Sequence, residues 1–62
     1  MWNIHQLEEA LQSDLSMCNN EFERINCIAI GGKEIRELAS KLQQSGKLTP
    51  GQYAIAQKYG FS

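Results

Sequence analysis

The run FERINCIAIGGKEIRELASK, residues 22–41, holds the densest apolar segment of this 62-residue chain and its only pair of adjacent glycines. Ile25, Ile28 and Ala29 keep a helical spacing, whereas the β-branched density ahead of Gly31-Gly32 also fits a short strand. A lone strand has no partner within the chain and would have to pair between two copies. Helix is therefore the stronger reading of residues 25–30, with an intermolecular strand as its alternative. Paired glycines cost roughly 1 kcal/mol each inside a helix and permit left-handed backbone at a helix end. Gly31-Gly32 accordingly reads as a turn or kink that separates a helix over 20–30 from another over 33–45. A phosphate-cradling loop would need a longer glycine pattern, usually following a strand.

Downstream, Ile35, Leu38, Ala39 and Leu42 share one helical face, and Glu37 and Lys41 are spaced to pair. Gly46 suits the left-handed residue that ends this helix, with Leu48 positioned to cover its last turn and to staple against Tyr53. Thr49, Pro50 and Gln52 then spell an N-cap, a first-turn proline and a capping-box partner, opening a helix over 50–59 that Gly60 closes. Phe61 is expected to fold back, because leaving its ring in water forgoes roughly 2 kcal/mol.

Upstream, Asn3 and Gln6 form a second capping box, and Ile4, Leu7, Leu11 and Leu15 draw one apolar stripe along a helix over 3–16. Ser16, Asn19 and Asn20 are poor interior residues and good caps, and Asn20 has Glu23 at capping-box distance. A turn is expected at 16–20; the competing reading is one unbroken helix, since the stripe continues through Cys18, Phe22 and Ile25 without a phase error.

The fold class read from these patterns is all-α: a single domain, 1–62, forming a small bundle of three to four short helices completed by self-association. A chain this short buries only about 60% of its unfolded-state surface, so its core is marginal and some staple is expected. Cys18 and Cys27 lie about 13 Å apart along a common helix axis, too far for a bridge unless they occupy different elements. The plain reading is two reduced, largely buried thiols. His5 adds only a third soft ligand at spacings that match no zinc pattern, so no metal or other cofactor is expected. No apolar run approaches the ~20 residues of a membrane span, and no signal-peptide pattern opens the chain, which points to a cytoplasmic protein.

A net charge of −1 conceals a division. Residues 1–30 set Glu8, Glu9, Asp14, Glu21 and Glu23 against Arg24 alone, net −4, while residues 31–62 carry net +3. That split suits antiparallel helices, within one chain or between two. Catalysis is not expected: His5 is the sole histidine, no serine or cysteine has a base placed beside it by sequence, and neighbouring carboxylates diverge on a helix. The apolar face of Phe22, Ile25, Ile28 and Ala29, with Trp2 and Leu11, is the candidate interface, and a homodimer is the expected assembly. The alternative is a DNA-associated regulator whose Lys33, Arg36, Lys41, Lys47 and Lys58 contact phosphates, although these cations are dispersed rather than gathered on one face.

From Thr49 onward, Gln52, Ile55, Ala56, Gly60, Phe61 and Ser62 stand in an order that resembles the first helix and turn of a prokaryotic helix-turn-helix. The match covers less than a quarter of the chain and involves structural positions; the family's base-reading residues follow the turn, and no match to them is present. The whole chain also resembles, in length and style, the small accessory proteins of temperate bacteriophages. That resemblance implies a regulatory factor acting on a host or phage protein.

Overall fold

The computed structural model describes residues 2–62 and folds them into three helices, α1 (Ile4–Ser16), α2 (Glu21–Gln44) and α3 (Pro50–Lys58), with no strand among the described residues. The helix reading of 25–30 is thus the observed one. At the start of α1, Gln6 N–H donates to Asn3 Oδ1 at 2.9 Å and Asn3 N–H to Gln6 Oε1 at 2.9 Å. At α3 the same reciprocal pair joins Thr49 and Gln52, at 3.2 and 3.0 Å. Both boxes satisfy amide donors that the helices cannot.

The chain turns between Ser16 and Glu21, as the cluster of capping residues implies. Asn20 Oδ1 accepts from Glu23 N–H at 2.9 Å, but Glu23 returns its carboxylate to Asn19 N–H, at 3.0 Å, one residue before the N-cap. The turn sends α2 back antiparallel to α1, so Leu11 meets Gly31 and Cys18 meets Cys27.

The expected break at Gly31-Gly32 is absent. The separate helices expected over 20–30 and 33–45 are one 24-residue helix, about 36 Å long. Close approach accounts for Gly31, where a Cβ would stand 2.7 Å from Leu11 Cδ1; a Cβ on Gly32 would meet Tyr59 Cβ at 3.4 Å, an ordinary van der Waals contact. Adjacent positions on a helix point about 100° apart, so Gly31 admits Leu11 of α1 while Gly32 faces Tyr59 at the end of α3. At Gly31 the propensity cost is offset by the close packing of Leu11.

Both later helices end in Schellman motifs. Gly46 (φ 73°) and Gly60 (φ 97°) adopt left-handed backbone. Lys47 N–H donates to Leu42 O at 2.8 Å and Phe61 N–H to Ala56 O at 3.1 Å. The second motif turns Phe61 back so that its ring meets Tyr53 edge-on, 5.8 Å between centroids. Ile4, Leu11, Ile35, Ala39, Ile55 and Ala56 form the buried core, with Leu7, Leu15, Leu38, Leu42, Leu48, Tyr59 and Phe61 packed half-buried around it.

Candidate interaction surface

Along α2, Ile25, Ile28, Gly32, Ile35 and Ala39 follow at spacings of three and four and so belong to one stripe. Its C-terminal half, Gly32, Ile35 and Ala39, is buried in the core shared with Ile55 and Ala56 of α3. α3 is only nine residues long, and its end at Tyr59 lies against Gly32. Beyond that point the stripe continues uncovered. Phe22 is 86% exposed, Ile25 65% and Ile28 44%, with Ala29 exposed beside them. On the order of 400 Å² of apolar side chain therefore faces solvent at the N-terminal end of α2, within the range of the largest patches on monomers.

The two other residues expected at this face lie elsewhere. Leu11 is 3% exposed and belongs to the core, because Gly31 lets α1 close down on α2. Trp2, 57% exposed, lines a different groove between α1 and α2, about 450 Å³ in volume, with Leu7, Ala10, Cys27 and Ile30. The groove is open and mainly apolar, with Asp14 and Glu34 as its carboxylates, while His5 is exposed on α1.

The cations of the alternative reading are drawn largely into intrachain contacts. Arg36 is half-buried and its guanidinium donates to the backbone carbonyl of Tyr59 at the end of α3. Lys58 Nζ stands 3.1 Å from Glu8 Oε2 on α1, and Lys33 stands 4.0 Å from Glu37. Glu37 thus approaches Lys33 rather than the expected Lys41. Lys41 and Lys47 are exposed, on the last turn of α2 and in the loop after it. Part of the acidic-to-basic division is consequently answered inside the chain, by the α1 to α3 pair Glu8 and Lys58.

Tyr59 is the junction of all three helices. Its hydroxyl donates to Glu8 Oε2 and accepts from Gln12 Nε2, each at 3.3 Å, while its carbonyl accepts from Arg36. Nothing local in the sequence signals this.

The fold so defined is a three-helix all-α unit with one uncovered apolar helix face. No family model matches the chain, and comparison with curated proteins and with solved structures gives no significant match. Among the described residues no helix is long and apolar enough to cross a membrane, and no group of three or more potential metal ligands is gathered.

Proposed function

We propose that this chain is a small non-enzymatic helical protein that acts by protein–protein contact, and that its uncovered α2 face binds the same face of a second copy. The supporting observation is the continuation of the core stripe into Phe22, Ile25 and Ile28 beyond the end of α3. A two-fold contact uses one patch twice, so a single helical face suffices. Two such patches with their polar borders approach the lower end of stable interfaces, about 1,200 Å² in total. The small core, six buried apolar residues among the described ones, gains from the cover. The accessory or regulatory role implied by the resemblance to temperate-phage proteins fits this mode of action.

Light scattering on a concentration series, with reductant present, tests the reading. The mass should rise from 7.0 kDa toward twice that value. Phe22→Asp should hold it at the monomer while circular dichroism stays helical, because Phe22 takes no part in the core. A wild type that stays monomeric into the millimolar range would sink the proposal.

The alternative, a DNA-associated regulator, retains Lys41 and Lys47 as its exposed cations that make no ion pair described above. Its signature is affinity that falls steeply with salt, and an absence of binding at ~50 mM salt removes it.

A further inference from the structure

Cys18 and Cys27, nine positions apart in sequence, are brought side by side by the α1 to α2 turn, with Sγ to Sγ 3.3 Å. A disulfide bond is about 2.05 Å long, so closure needs the sulfurs to approach by roughly 1.3 Å. Cys18 lies outside both helices, in the linker after α1, where its N–H reaches Leu15 O and its Sγ rests 3.2 Å from Asp14 O. Cys27 is in the second turn of α2, fixed by helical backbone. The pair thus joins a linker residue to a helical one. Both thiols are half-buried, within reach of a small reagent yet flanked by the fold, and they are the only cysteines in the chain.

We infer that Cys18 and Cys27 form an intrachain disulfide site, closed by thiol–disulfide exchange with a low-molecular-weight disulfide such as oxidised glutathione. The first protein thiolate attacks one sulfur of the small disulfide, forming a mixed disulfide and releasing one small thiolate. The second protein thiolate attacks the protein sulfur of that mixed disulfide and releases the other small thiolate. The protein loses two electrons and two protons, and the small disulfide becomes two thiols. No other co-reactant is needed. The bridge ties the linker after α1 to the second turn of α2, within the segment that carries Phe22, Ile25 and Ile28.

The test incubates the reduced protein with oxidised glutathione and follows intact mass, a non-reducing peptide map and the melting temperature. The expected product is a monomer chain 2 Da lighter, with a peptide linking Cys18 to Cys27 and a melting temperature raised by about 10 °C, reversed by reductant. Cys18→Ser and Cys27→Ser should each retain a glutathione adduct on the remaining cysteine, since the resolving thiol is gone. A wild-type protein that keeps the adduct, that links to a second chain, that does not react, or whose bridge fails to raise the melting temperature overturns the assignment. Intact mass and the peptide map of the linked cysteines are read on the denatured chain, and the melting shift is compared at one protein concentration, so a failure of self-association leaves this test standing.

Discussion

Leu11 lies directly over the backbone of Gly31, with its Cδ1 2.7 Å and its Cγ 3.2 Å from where a Cβ would stand. Gly31→Ala gains roughly 1 kcal/mol of helix propensity and incurs roughly 1–3 kcal/mol of overpacking, because Leu11 is itself in the core. The net expectation is destabilisation by about 1 kcal/mol, read as a melting temperature lower by about 4–8 °C. Thermal denaturation of this single variant checks it; a more stable Gly31→Ala would mean that Leu11 yields freely.

Gly51 supplies the opposite case within the same molecule. It sits in the first turn of α3 with no neighbouring atom within 4 Å of a built Cβ and without positive φ. Gly51→Ala therefore restricts the unfolded chain at no packing cost, and about 0.4–1 kcal/mol of added stability is expected. Chemical denaturation with an unchanged slope and a higher midpoint would show it.

Arg36 holds the C-terminal end of α3 by donating to the Tyr59 carbonyl from a half-buried position. Removing a charged donor from a single bond costs about 1.5–3 kcal/mol, reduced here by partial solvent access. Arg36→Met keeps the aliphatic stem and loses only the donor, so a loss of about 1 kcal/mol is expected. If Arg36→Met melts with the wild type, the contact contributes nothing.

The Cys18 thiol is held above its ordinary range, chiefly by its hydrogen bond with Cys27, then by partial burial and by the nearby Glu23 carboxylate against the opposing Arg24. Less thiolate is present at any pH below that raised value, so alkylation of Cys18 in the reduced fold is expected to lag behind the unfolded chain at pH 8 and to catch up as pH rises. The associated stabilisation is present below the thiol's unfolded value and is lost as pH rises through the folded one. Cys27→Ala removes the leading cause and should speed alkylation of Cys18, measured by mass spectrometry of the modified peptide.

Sequence by itself determined the helical class, both capping boxes, the Asn20 cap, the left-handed glycines 46 and 60 and the return of Phe61, because each depends on atoms within a few residues of one another. The sequence marked Phe22, Ile25 and Ile28 as an apolar face wider than one helix contact consumes, and the structure leaves that face exposed. Tertiary structure alone decided the rest. A Gly-Gly pair has the same local propensity whether it ends a helix or receives two others, and only the arrival of Leu11 on one side and Tyr59 on the other distinguishes the cases. Leu11 fell into the core rather than the interface for the same reason, and the Tyr59 junction and the meeting of Cys18 with Cys27 arose from contacts between separate elements. Periodicity records which residues share a face; the distance at which another helix crosses that face is set by the side chains of both.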